Sequence, residues 1–212
     1  MPHMPSACAA FFMYNTDMFY IVALGNPGEK YANTRHNVGW MAMDHCLEKL
    51  CLPNLVESSQ FSGHTCHGMI VGEEVIVLCP TTFMNNSGSA VEKLVPKDEV
   101  EKLVVVHDDI DLPFGEVKIG KGRGAGGNKG VQSIMDKLGS KDFVRVRIGI
   151  APKSFWTGKV KRPEGGGPLE RFVLKPFSST EKKQLPEVFD KARVALEVIV
   201  GEGVEAAMNK CN

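Results

Sequence analysis

The 212-residue chain carries no net charge of either sign, since Lys plus Arg and Asp plus Glu are both 25. That excludes a protein held to nucleic acid by bulk charge alone and leaves open a local basic face. No apolar run is long enough to cross a bilayer, so no membrane association is expected. Lys and Arg are absent before Lys30, which fits neither a secretory signal nor an Arg-rich transit peptide. Residues 1–17 therefore read as a disordered extension before a core that starts near Met18. None of the six cysteines (Cys8, Cys46, Cys51, Cys66, Cys79 and Cys211) belongs to a CxxC pair. Cys46 and Cys79 lie in apolar runs and read as buried thiols. A reducing compartment is the simplest account: the cytoplasm, or an organelle if the host is a eukaryote.

What is present is distributed unevenly. Residues 92–116 hold eight Asp or Glu against three Lys, and residues 117–162 hold twelve Lys or Arg against two Asp. A polyanion would meet the second half. Phe19–Leu24 is a short apolar strand, and Val38–Leu50 has helical spacing closed by Pro53. His64–Ile70 and Val75–Leu78 form a hairpin around Gly72-Glu73. Met84–Leu94 reads as a short helix, and Leu103–Val106 as a fully apolar central strand. Val117–Ile119 is a further strand, and Lys129–Leu138 a helix stopped by Gly139. Phe143–Ile150 alternates Val and Ile with Arg145 and Arg147, as a strand with one basic face. Residues 151–168 form a flexible loop, Phe172–Leu174 a short structured return, and Ser179–Ala207 one long helix or two broken ones. Strands alternating with helices predict a single α/β domain over residues 18–212, built on a mixed, mostly parallel twisted sheet with helices on both faces.

The chemistry concentrates at junctions. Leu24-Gly25-Asn26-Pro27-Gly28, Tyr31 and Thr34-Arg35-His36-Asn37-Val38-Gly39 lead from the first strand into the first helix. A histidine there can take a proton from water near neutral pH, provided something orients it. His107-Asp108-Asp109-Ile110-Asp111 follows the central strand, where open α/β sheets place their ligand crevice. Asp108 leaves the strand first and is the choice to hold the imidazole, whereas Asp111 suits a turn. Three neighbouring carboxylates could instead bind a divalent ion, but a His–Asp pair needs none, and no metal or cofactor is expected. Thr81-Thr82-Phe83-Met84-Asn85-Asn86-Ser87-Gly88 can cap a helix through Thr or Asn. It can also offer Asn85 or Asn86 to a peptide group, beside an apolar wall of Phe83 and Met84. Gly120 to Gly130 fails the phosphate-loop pattern, yet glycine-exposed N–H groups near Lys121, Arg123 and Lys129 can hold a phosphate or carboxylate.

In this order and spacing, LGNPGEKYANTRHNVG, PTTFMNNSG, HDDIDLPFG, GRGAGGNKG and VRVRIGI closely resemble the bacterial-type peptidyl-tRNA hydrolase family. The likeness runs from Phe19 to Ile150, and more weakly through Phe172–Phe177. The resemblance implies a monomeric enzyme, without an obligate protein partner, that cleaves the ester between a peptidyl group and the terminal ribose of tRNA. It implies His36 as the general base and Asp108 as the group stabilising its working form. Asn26 would distinguish blocked peptidyl ends from free aminoacyl ones. Tyr31, Phe83, Met84 and Asn85 would line the substrate end. Lys118 and Arg147, joined by Lys121 and Arg123 of the basic segment, would face tRNA phosphates.

One stretch departs from the family pattern. The family shows Gly-His-Asn-Gly where this chain has Gly127-Asn128-Lys129-Gly130. Aligned without a gap, the family's substrate-binding asparagine falls on Lys129; a one-residue shift returns an amide through Asn128. Both are substrate-binding candidates. Lys129 can bind a carbonyl or a phosphate but cannot accept from an amide. Two other readings stay open: an RNA-binding relative that has lost hydrolysis, which Lys129 favours mildly but the intact His36, Asp108, Asn26 and Asn85 set opposes, and an amidase without an RNA partner, which the basic strand disfavours.

Overall fold

The structure, a computed structural model, describes residues 18–152, 160, 162–163 and 165–212. The expected extension at residues 1–17 and residues 153–159, 161 and 164 of the expected loop at 151–168 lie outside the described residues. Seven strands form one sheet: β1 (Phe19–Ala23), β2 (Val56–Ser58), β3 (Gly63–Ile70), β4 (Glu73–Pro80), β5 (Leu103–Pro113), β6 (Val117–Lys121) and β7 (Val144–Ala151). Their order is β2-β3-β4-β1-β5-β7-β6. The central β4-β1-β5-β7 run is parallel, and β2, β3 and β6 add antiparallel edges.

Alternation along β1 explains the layering, because successive side chains of a strand point to opposite faces. Ile21 and Ala23 enter one core with α1 (Val38–Lys49), α5 (Ser179–Glu202) and α6 (Val204–Cys211). Tyr20, Val22 and Leu24 enter a second core with α2 (Ser87–Leu94) and α3 (Lys129–Leu138). The molecule is thus a single α/β domain with a mixed, largely parallel sheet covered on both faces. A seven-residue helix, α4 (Gly167–Val173), starts inside the segment expected to be loop (151–168) and runs into the expected return at Phe172–Leu174.

Several boundaries differ from the sequence reading, each for a local reason. The hairpin turns at Val71-Gly72, with φ of 46° and 92°, and Glu73 already opens β4; paired positive φ values match the strand twist in tight hairpins. The Met84–Leu94 helix starts with a 3₁₀ turn at Met84–Asn86. The C-terminal helix is two, broken at Gly203 with φ 89°. The largest difference is β5. It continues past Val106 because pairing with β7 runs on through His107↔Arg147, Asp108↔Ile148 and Asp109↔Gly149. Asp108 therefore sits inside the strand rather than leaving it. Asp111 also belongs to β5, its carboxylate paired with Arg162 at 2.5 Å, instead of starting a turn.

Gly39 shows how tightly α1 is drawn to the sheet. A Cβ there would lie 2.6 Å from the carbonyl oxygens of both Leu24 and Val106. Only glycine lets the first helical turn reach the end of β1 and the middle of β5, which brings His36 of the preceding Arg35–Asn37 triplet to Asp108 within β5.

Candidate active site

Arg35–Asn37 form a 3₁₀ turn between β1 and α1 with Thr34 at its N-cap, and all four residues are buried. Arg35 anchors it. Its guanidinium donates to the carbonyls of Lys175 and Pro176 and to both carboxylate oxygens of Glu181, at 2.6 to 3.3 Å. It also stacks over Phe172 and Phe177. Glu181 accepts in addition from the Ser178 backbone N–H, in a capping box that starts α5. Burial would raise the Glu181 carboxyl, but the Ser178 and Arg35 donors outweigh it and hold it below the usual carboxylate range. One ion pair thereby joins the start of α5 to the residue beside His36.

His36 Nδ1 lies 2.9 Å from Asp108 Oδ1. A carboxylate can only accept, so Nδ1 carries a proton, and in the neutral imidazole Nε2 keeps its lone pair. Burial works against an imidazolium here. The charge and hydrogen bond of Asp108 outweigh it, Lys129 opposes them more weakly, and the net effect holds His36 above the ordinary histidine value. Neighbouring His107 is fully buried; burial pushes its proton affinity down, and its Nδ1–H donates to the Asp108 carbonyl at 2.7 Å.

The dyad opens into a cleft of about 380 Å³ lined by Asn26, Tyr31, Phe83, Met84, Asn85, Asn128 and Lys129, all named from the sequence. Asn26 is fixed at three points. Its N–H donates to Asn37 Oδ1, its carbonyl accepts from Asn37 Nδ2, and its Oδ1 accepts from the Met84 N–H. Its amide Nδ2 has no protein acceptor among the described residues. Phe83 is 57% exposed and Met84 only 3%, so Phe83 forms the outer lip and Met84 the floor. Asn85 is exposed at the rim. The capping reading of this stretch does not hold, because Asn86 occupies the N-cap position of α2 without a side-chain cap bond.

Asn128 and Lys129 separate clearly. Asn128 Oδ1 accepts from the N–H groups of Gly130 and Val131, capping α3, while Nδ2 donates to Asp108 Oδ1 at 2.8 Å and to its carbonyl. Both ends of this amide are engaged inside the protein. Lys129 turns outward along the cleft and pairs with Glu170 of α4 at 2.5 Å. Sequence reasoning missed Asn37, the Arg35–Glu181 tie and the whole α4 wall of Leu169, Glu170, Val173 and Leu174. Asn37 stood inside a quoted motif; α4 carried a start signal in Pro168 at its first turn, with Glu170 beside it, inside a stretch read as loop.

The basic residues are less open than the alternation in β7 predicted. Arg145 is 3% exposed and spends its guanidinium on the carbonyls of Arg123 and Gly124. Arg147 Nε donates to Asp109 Oδ2 at 2.7 Å. The glycine-rich loop covers this face, so it is no free solvent surface. Lys118 lies opposite Arg147 on β6, Lys121 pairs with Glu101, and Arg123 is exposed. Arg123, Arg145, Arg147, His107 and Asp109 surround a small hollow of about 40 Å³. Among the described residues, no three His, Cys, Asp or Glu side chains are grouped to hold a metal ion.

A buried His–Asp pair under an amide-lined cleft, at the carboxyl end of a parallel sheet, defines an α/β protein with a base-bearing ligand site. The family model for peptidyl-tRNA hydrolase matches residues 20–212. The peptidyl-tRNA hydrolase of Thermodesulfovibrio yellowstonii is 40% identical over 199 residues, covering 92% of this chain and 99% of that protein. That of Syntrophotalea carbinolica is 40% identical over 197 residues, covering 92% and 97%. A crystal structure of peptidyl-tRNA hydrolase from Acinetobacter baumannii superposes with a TM-score of 0.79 at 30% identity, covering 92% of this chain and 95% of that one. The chain belongs to the peptidyl-tRNA hydrolase family.

Proposed function

We propose that this enzyme hydrolyses the ester joining a peptidyl group to the terminal ribose of tRNA, with His36 as general base. The observation that carries the reading is the His36 Nδ1–Asp108 Oδ1 bond, which leaves Nε2 free at the floor of the cleft. Water placed between Nε2 and the ester carbonyl gives up a proton to Nε2 as its oxygen bonds to the carbonyl carbon. The imidazolium that forms is stabilised by Asp108, as in other His–Asp pairs. Collapse of the tetrahedral intermediate breaks the bond to the ribose oxygen, which takes the proton back from Nε2. Amide donors from Asn85 or backbone N–H groups offset charge on the carbonyl oxygen.

Asn26 offers its free Nδ2 to the first peptide carbonyl, a group that a free aminoacyl ester lacks. Tyr31, Phe83 and Met84 bound the adjoining side chain. Asn128 acts through Asp108, as a positioning residue. Arg123 and Lys118 face the tRNA phosphates, with Lys121 and Arg147 lending charge beside them. Among the described residues no helix is long and apolar enough to cross a membrane. A cytoplasmic place of work, or an organellar one in a eukaryotic host, completes the reading.

The test is hydrolysis of N-blocked peptidyl-tRNA against aminoacyl-tRNA by parent, His36→Ala and Asn26→Ala proteins. The reading requires the parent to prefer peptidyl-tRNA, His36→Ala to lose turnover, and Asn26→Ala to lose the preference. An unaltered turnover in His36→Ala would refute it.

A further inference from the structure

Lys129 and Glu170 meet across the mouth of the cleft that holds His36, their side chains 61% and 58% exposed. An ion pair this open is held weakly and is readily exchanged. Asn128, the neighbouring candidate, has both ends of its amide committed internally, so of the two only Lys129 presents a donor to an incoming ligand. Its charge reaches the reacting centre, since it opposes Asp108 at the His36 imidazole. Lys129 also holds the Glu170 carboxyl below the usual range by hydrogen bond and charge.

Resting on the function proposed above, the substrate brings two groups near this ammonium. The ester carbonyl is neutral in the ground state and competes poorly with a carboxylate. The phosphodiester on the 5′ oxygen of the same terminal nucleoside carries a full charge and lies one ribose from the ester; charge-assisted bonds to phosphate are among the stronger ones. We propose that Lys129 reads the terminal phosphodiester of the acceptor end, and that Glu170 is a built-in competitor that the phosphate displaces. The exchange conserves charge: the ammonium leaves one anion for another, and the exposed Glu170 carboxylate returns to water. An amide at position 129 could not make this exchange, so the Lys is a specificity residue that demands a nucleotide rather than a bare ester.

The experiment compares two substrates with the parent, Lys129→Gln and Glu170→Gln enzymes. One is the N-acetylaminoacyl ester of adenosine, which has no phosphate. The other is the same ester on a short oligonucleotide ending in CCA. The readout is the KM of the phosphate-free ester divided by that of the oligonucleotide ester. Lys129→Gln should reduce this ratio about tenfold, the weight of one charged hydrogen bond. Glu170→Gln should raise it, because the competitor is gone. Thermal melting checks that both exposed substitutions leave the fold intact. Ratios that fall together would show a mere strap between α3 and α4 and overturn the assignment, as would ratios equal to the parent's. Failure of the parent on N-acetylaminoacyl-tRNA itself would instead overturn the proposed function, and this assignment with it.

Discussion

His36 is buried beside a carboxylate, and that placement sets both its chemistry and its pH behaviour. A positioned general base contributes about 10²–10⁴ in rate, so His36→Ala should lower kcat by that order while substrate binding, measured by filter retention, is kept. On the proposed mechanism the active form is the neutral imidazole. Because Asp108 holds His36 above the ordinary histidine value, kcat/KM should fall as pH drops through that raised value. Asp108→Asn removes the main raising influence, so the acid limb of log kcat/KM against pH should move to lower pH, with a slower plateau. Lys129→Gln removes a lowering influence and should move the limb to higher pH. An acid limb that stays in place in Asp108→Asn would mean that another group sets it. His36 and Asp108 stood out in the sequence as ionisable residues inside motifs that follow apolar strand segments, although Asp108 lies within β5 rather than beyond its end. The role of Asn128 was not legible, because capping α3 and bonding Asp108 both depend on where the helix starts in space.

At the scale of elements, the site depends on how α3, α4 and α5 are tied to the turn that carries His36. Arg35 joins that turn to α5 through Glu181 and to the carbonyls of Lys175 and Pro176. Arg35→Ala should destabilise the protein by about 1.5–3 kcal/mol, the loss of charged hydrogen bonds in a nearly buried setting. That corresponds to a fall in Tm of roughly 3–12 °C for a chain of this size, measurable by calorimetry. It should also lower kcat by letting the His36 turn shift; a full Tm with a lowered kcat would separate positioning from stability. Gly39→Ala forces a Cβ against two backbone oxygens, and overpacking of this kind costs about 1–3 kcal/mol. Elements with strong periodicity, such as α1 and α3, were readable within a residue. β5 was not, because its outer half carries His107, Asp108, Asp109 and Asp111, and only the partner strand β7 shows that the backbone stays extended.

Across the whole molecule, zero net charge conceals a division. The acidic segment supplies the partners, Asp108, Asp109 and Asp111, and the following basic segment is folded back onto them through Asn128, Arg147 and Arg162. Part of the basic charge that follows the reversal along the chain is therefore neutralised within the protein. Arg123 stays exposed, and on the proposed function it is the residue to test as a phosphate contact. Arg123→Ala should weaken tRNA binding uniformly across tRNA species and lower the slope of log affinity against log salt by about 1. The order of five separated motifs made the family legible; the cleft's fourth wall, α4, became visible only once the chain was folded. The most direct measurement of the central claim is single-turnover hydrolysis of N-acetylaminoacyl-tRNA by parent and His36→Ala enzymes at saturating protein. The account predicts rapid ester cleavage by the parent and a rate lower by about 10²–10⁴ in the variant, with equal binding. Equal rates in the two proteins would contradict it.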